Sequence, residues 1–184
     1  MQVEEARALA EEHLAGSLDR RWKHVQAVAE RAERVADALE LERDLLVSAA
    51  WLHDIGYAPS LVETGFHPLD GARFLRRRGV DQRIVELVAH HSCAAVEADE
   101  RGLEDVLVVE FPREVGPMSD ALWFCDMTTG PDGQQLAVVQ RLAEIRERYG
   151  PDHVVTRFID RAGGEIRAAA ERTEQRLRGA RGEL

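Results

Sequence analysis

The sequence predicts an all-α protein, a compact multi-helix bundle, and three observations carry that expectation. Alanine, leucine, glutamate and arginine dominate the 184 residues, and these are strong helix formers. β-Branched alternation is scarce, so the period-2 pattern of strands is nearly absent. Gly65, Gly79, Gly102 and Gly150 punctuate the chain, while Pro68, Pro117 and Pro151 stand near helix starts, where proline is tolerated.

Helices are expected at about 2–15, 20–39, 42–55, 68–78, 81–92, 117–128, 134–148 and 153–178. The second carries an apolar stripe, Trp22, Val25, Val28, Ala32, Val35 and Leu39, at helical spacing. In the third, Leu46, Ala49 and His53 share one sector of the helical wheel. His67-Pro68 opens the fourth. Ile84, Leu87 and Val88 define the inward face of the fifth. The helix at 117–128 is apolar nearly all round through Ala121-Leu122-Trp123-Phe124-Cys125, so it is expected to be buried. A turn cluster, Thr128-Thr129-Gly130-Pro131-Asp132-Gly133, separates it from two C-terminal helices. Val106 to Phe111 is the one strand-like run and is expected as an extended segment lying on the core.

Length suits a single domain with a sizeable core. Hydrophobic residues make up 45% and charged residues 32%, with a net charge of −10, the pattern of a soluble, acidic, globular chain. Binding to duplex nucleic acid needs a basic face and is not expected. No stretch approaches a membrane span and the acidic N-terminus has no apolar signal core, so no membrane association is expected and the cytoplasm is the expected location. Cys93 and Cys125 have no disulfide-framework or zinc-knuckle spacing. Apolar residues exposed on the C-terminal helices would suit a homodimer.

The chemistry concentrates in His24, the adjacent pair His53-Asp54, and Asp126. Burying an ionised carboxylate at the end of an apolar helix is costly unless something pairs with it, and a divalent metal is the economical partner. His24 falls beside Val28 and Val35 on the wheel and points inward, as does His53. Asp126 ends the helix that is apolar all round. Imidazole and carboxylate donors suit Mn, Fe, Co, Ni or Zn, with Mg also in range. Of the pair His90-His91, His91 lies about 40° from the centre of its helix's inward face. His90 points away and is expected to face solvent or stand behind the ligands. His13 and His153 read as surface histidines. Arg21 and Lys23, just before His24, are candidates for contacting a phosphate, while Arg76-Arg77-Arg78 reads as a solvated helix end.

The ordered set His24, His53-Asp54 and Asp126 resembles the HD-domain superfamily of metal-dependent phosphohydrolases, over roughly residues 18–130. Arg21-x-x-His24 and Leu52-His53-Asp54-Ile55-Gly56 look like that family's usual surroundings. His67-Pro68-x-x-Gly71-Ala72 and His91-Ser92 resemble the additional ligands of its binuclear bacterial members. The resemblance implies one HD-type domain over 1–184, with a core at about 18–130 and a helical extension at about 131–184. It implies one or two divalent ions. His24, His53, Asp54 and Asp126 would hold the first, and Asp54, His67 and His91 the second, with Asp54 bridging. The implied reaction is hydrolysis of a phosphate ester or anhydride of a small, nucleotide-like substrate, with Asp54, Arg21 and Lys23 assisting. The same six ligands would serve a diiron oxygenase, and a non-catalytic metal-stabilised module is the third reading. Tyr57 replaces the lysine that cyclic-dinucleotide phosphodiesterases carry there. The Glu-Asp that follows the pair in alarmone hydrolases is missing. So is the histidine three residues after Asp54 found in several diiron oxygenases.

Overall fold

In the computed structural model, which describes residues 1–182, the chain forms ten α-helices. They are α1 (Val3–Leu14), α2 (Asp19–Leu39), α3 (Arg43–Leu52), α4 (His67–Arg77), α5 (Gln82–Ala89), α6 (Ala94–Glu100), α7 (Glu104–Glu110), α8 (Pro117–Met127), α9 (Val138–Tyr149) and α10 (Val154–Ala180). Single 3₁₀ turns occupy Ile55–Tyr57, Pro59–Leu61 and His91–Cys93. The described residues contain no strand, only an isolated bridge between Thr129 and Gln135, so the all-α expectation holds. No described helix is long and apolar enough to cross a membrane.

The apolar stripes dictate the packing. The α2 stripe buries Val25, Val28, Ala32 and Val35 along α3, while α1 packs against α3 through Ala6, Leu9 and Ala10. α8 is buried on nearly every side and sits between α2, α3 and α10. The long α10 lies along α8, α9 and α6 through Phe158, Ile159, Ala162, Ile166 and Ala169. The segment after the 128–133 turn therefore shares the same apolar core. α4 packs on α5 and on the turn that follows Asp54.

Three stretches differ from expectation. The run from Val106 to Glu110 is helical, not extended, and only its last residue, Phe111, has extended backbone. Its branched residues are largely solvent-facing: Val106, Val108 and Val109 are exposed, while Leu107 and Phe111, four residues apart, are fully buried. That i,i+4 anchor overrides the weak strand propensity. The helix at 94–100 was not anticipated; its inward residues Ala94 and Ala98 leave little apolar periodicity to detect. Finally, the helices expected to run to 55 and 92 stop at Leu52 and Ala89. In both places the chain breaks out of helix at the residues that carry polar chemistry.

Candidate metal centre

Five segments deliver their side chains to one point. α2 supplies Arg21 and His24. His53 is the C-cap of α3, and Asp54 follows with φ −101° and ψ 8°, a sparsely populated region frequent at active sites. His67 is the first residue of α4 and Asp126 the penultimate residue of α8. His91 follows the end of α5, where Ser92 and Cys93 both adopt left-handed backbone, φ 47° and 64°. Such conformations are strained for residues with a Cβ and persist only when the surroundings enforce them.

These residues form two groups whose ligand atoms lie within 4.8 Å of one another: His24, His53 and Asp126, and Asp54, His67 and His91. In the first, His24 Nε2 is 3.0 Å from Asp126 Oδ1, and His53 Nε2 is 3.9 Å from the same oxygen. In the second, the Nε2 atoms of His67 and His91 are 3.1 Å apart. Asp54 faces both. Its Oδ2 is 3.3 Å from His53 Nε2 and 3.8 Å from His24 Nε2. Its Oδ1 is 3.3 Å from His67 Nε2 and 3.9 Å from His91 Nε2.

The imidazoles are oriented from behind. The Nδ1 atoms of His24, His53 and His91 meet the backbone carbonyls of Gly130, Ala50 and Val88 at 3.1, 2.8 and 2.7 Å. A proton on Nδ1 donated to a carbonyl leaves Nε2 as the donor atom for a metal. The Ser92 hydroxyl donates to Asp126 Oδ2. Arg21 donates to Asp54 Oδ2 at 2.6 Å while stacking 4.0 Å from the Tyr57 ring centre. Tyr57 in turn stacks on His67 at 3.9 Å.

Charge and burial pull against each other here. Burial alone would raise Asp54 and Asp126, yet Arg21 and the imidazoles hold Asp54 well below the ordinary carboxylate range, and His24 and His53 do the same for Asp126. Burial dominates at His24, His67 and His91 and keeps them neutral at ordinary pH. His53 is the exception. Burial lowers it, but Asp54 and then Asp126 outweigh burial and raise it to about 9.

The donor set fits a divalent ion. His53 Nε2 is sealed from solvent without a hydrogen bond of acceptable geometry, a cost that coordination would remove. Metal–ligand bonds of about 2.0–2.2 Å put neighbouring donor atoms about 3–3.5 Å apart, and the shorter separations in both groups match. Two imidazoles with carboxylates suit Mn, Fe, Co, Ni or Zn.

All six expected ligands are therefore brought together, and Arg21 with them. Lys23 is not: it is exposed and lines neither cavity at the centre. The helical turn places it about 100° from His24 and about 200° from Arg21, away from the residues gathered around Asp54. His90 is buried, not solvent-facing; its Nε2 bonds the Phe111 carbonyl at 2.7 Å. The 128–133 turn orients His24 through Gly130. Sequence reasoning missed the stacking role of Tyr57 and the cavity residue Arg141. Arg141 lies beside the inward Leu142 and Ile145 of α9, and a helical wheel would have flagged it.

Two cavities open on the centre. One of about 70 Å³ is lined by Asp54, His67, His91 and Asp126 on one side and by α9 and α10 on the other. The second, about 290 Å³, lies between Leu18, Arg20, Tyr57, Pro131 and Arg148. Arg21, Tyr57 and Arg148 line both.

Comparison with known proteins follows this geometry. The HD domain family matches residues 21–125, more than half of the chain. A tRNA (cytidine(56)-2'-O)-methyltransferase of Picrophilus torridus is 35% identical over 78 residues, 42% of this chain and 22% of the relative. The same enzyme of Thermoplasma volcanium is 35% identical over 85 residues, 46% and 25%. Ribonuclease Y of Acidothermus cellulolyticus is 37% identical over 86 residues, 46% and 17%. The shared segment thus spans a quarter or less of these relatives' lengths. No solved structure matches the chain.

Proposed function

We propose, from the premise that the chain belongs to the HD-domain family of metal-dependent phosphohydrolases, that it hydrolyses a phosphate ester or anhydride of a small, nucleotide-like substrate at a two-metal centre. The single observation that carries this reading is the division of Asp54: Oδ2 faces His24 and His53, and Oδ1 faces His67 and His91. One carboxylate shared between two ligand groups suits a bridge. Bound divalent ions would supply Lewis acidity, activating water near neutral pH and neutralising phosphoryl charge.

The chain's own residues do the rest. Asp54, kept ionised, accepts a hydrogen bond from the attacking water and orients it; so depressed a carboxylate is a poor base. Arg21 offers its remaining donors to a phosphoryl oxygen, pre-positioned by its stack on Tyr57. Ser92 fixes Asp126, and the three backbone carbonyls fix the imidazoles, so little reorganisation remains on binding. Cations at the cavity matter because a chain of net charge −10 repels anions at a distance.

A small substrate suits the cavities, whose inner part is about 70 Å³ and whose wider part is about 290 Å³. Ribonuclease Y acts on RNA by its name; the acidic surface here favours a small phosphate over a nucleic-acid strand. The test is Asp54→Ala assayed with Mn, Fe, Co or Ni over nucleotides and dinucleotides. Hydrolysis should fall at least about 100-fold with weaker metal binding and an unchanged circular dichroism spectrum. Full retention of phosphohydrolase activity would sink the assignment.

A further inference from the structure

Arg141 is an unusual residue to find in this bundle. It stands on α9, outside the segment that matches the HD family, and is only 4% exposed. Its neighbours on the helix, Leu142 and Ile145, are ordinary core residues. A guanidinium has five N–H donors, and among the described residues Arg141 makes one hydrogen bond, from Nη1 to Glu144. Its Nε is sealed from solvent and has no partner. Arg172 and Arg83, away from the cavity, are better satisfied: Arg172 puts both Nε and Nη2 on Asp120, and Arg83 reaches Glu114 and Glu42; Arg31, whose Nε is also unpartnered, lies over the Phe124 ring and lines neither cavity. A buried cation left this incompletely paired is costly to folding, and an apolar residue would fill the same space.

The location supplies what the pairing lacks. Arg141 lines the inner cavity across from Asp54, His67, His91 and Asp126. Two helical turns further on, Arg148 lines the same cavity and the wider one, with its Nε 3.3 Å from the other oxygen of Glu144. Glu144 thus tethers two guanidiniums to the rim of the metal centre. Arg21, on α2, lines both cavities too and is bonded to Asp54. The cavity therefore has cationic groups at two separate stations, one at the metal ligands and one on α9.

We propose that Arg141, with Arg148 outside it, binds a second phosphoryl group of the substrate, next to the one that meets the metal centre. The substrate class is then a phosphoanhydride, carrying two adjacent phosphates, with its organic part in the wider cavity. This deepens the proposed function and rests on it for the identity of the first station. The HD core would supply hydrolysis, and the C-terminal helices would select the substrate.

The test is calorimetric titration of the Mn-loaded protein with methylenediphosphonate, an anhydride mimic that water does not cleave, and separately with inorganic phosphate. Metal content is checked after each titration. The wild type should bind the diphosphonate about tenfold or more tighter than phosphate, since a second charge-assisted, forked contact is gained. Arg141→Met should bring that ratio close to one with metal content unchanged. Arg141→Lys, which keeps a charge but not the fork, should lower it about threefold or more and guards against misfolding of the first variant. Arg146→Met, whose side chain pairs with Asp160 of α10 and does not line the cavity, should keep the wild-type ratio. A wild type that does not prefer the diphosphonate overturns the proposal, as does an unchanged ratio in either folded Arg141 variant. If the wild type cleaves no phosphate substrate yet shows the ratio and its loss in Arg141→Met, the hydrolase reading fails and the anion site stands.

Discussion

Gly56 joins the two halves of the metal centre, and Gly56→Ala should break that join. A Cβ built on Gly56 lies 2.0 Å from the His67 carbonyl oxygen and 2.6 Å from the Gly71 nitrogen. Both are backbone atoms of α4, so no side-chain rotation relieves the clash. Going from 2.0 Å to the roughly 3.3 Å that a C–H···O contact accepts displaces the helix by about 1.3 Å. His67 opens that helix, so its separation from Asp54 Oδ1, now 3.3 Å, should widen beyond coordinating range. Overpacking of this kind costs typically about 1–3 kcal/mol; with backbone on both sides the upper half applies, about 2–3 kcal/mol. For a chain of this length that lowers the melting temperature by about 5–10 °C. Thermal unfolding of the metal-free protein and elemental analysis of the metal-loaded protein read the two effects. Metal content should fall from two ions toward one. A variant that melts within about 1 °C of wild type and still holds two ions would refute the close-packing argument.

Three further outcomes follow from the same geometry. His90→Ala leaves the Phe111 carbonyl without its partner and a void beside it, so it should cost about 2–3 kcal/mol by denaturant unfolding yet retain both ions; His91→Ala should lose one, and equal metal loss in both would be contrary. Burial raises Asp120, but Arg172 and then Arg176 of α10 hold it below the ordinary carboxylate range. Asp120→Asn should cost about 1.5–2 kcal/mol, less than a fully buried pair because both guanidiniums keep contact with water. A depressed carboxylate stabilises above its ordinary value near 3.9 and loses that as pH falls through its folded value; the gap between variant and wild type should therefore hold steady above about pH 4 and narrow progressively as pH falls below it, and a gap that does not narrow there would be contrary. His53, raised to about 9, stabilises the metal-free protein fully below about 6.5 and progressively less as pH rises through 9. Metal uptake at pH 7.5 should therefore release about one proton, measured by titration in buffers of different ionisation enthalpy, with zero protons as the contrary result.

The sequence made the centre legible because its ligands sit on helices with strong apolar faces. His24 and His53 could be aimed inward by periodicity, and the ordered His, His-Asp, Asp pattern linked segments that no local signal connects. Lys23 stands apart from the centre because adjacency in sequence is not adjacency on a helix. His90 was judged from ideal helical geometry, yet α5 ends at Ala89, so the wheel no longer applied. The helix at 104–110 was hidden because its valines face solvent and two anchors, Leu107 and Phe111, hold it. Gly56 and Gly71 stood in the quoted motifs, but their reason is a helix–turn contact between segments, which spacing does not encode. Arg141 belongs to the same class: its importance lies in what stands across the cavity.

The central claim is that Asp54 joins two ions, and anomalous diffraction from crystals of the Mn-loaded protein tests it most directly. The account predicts two anomalous peaks, one beside Oδ2 with His24, His53 and Asp126, the other beside Oδ1 with His67 and His91, each about 2.0–2.3 Å from its Asp54 oxygen. A single peak shared by all six side chains, or ions bound away from Asp54, would contradict it.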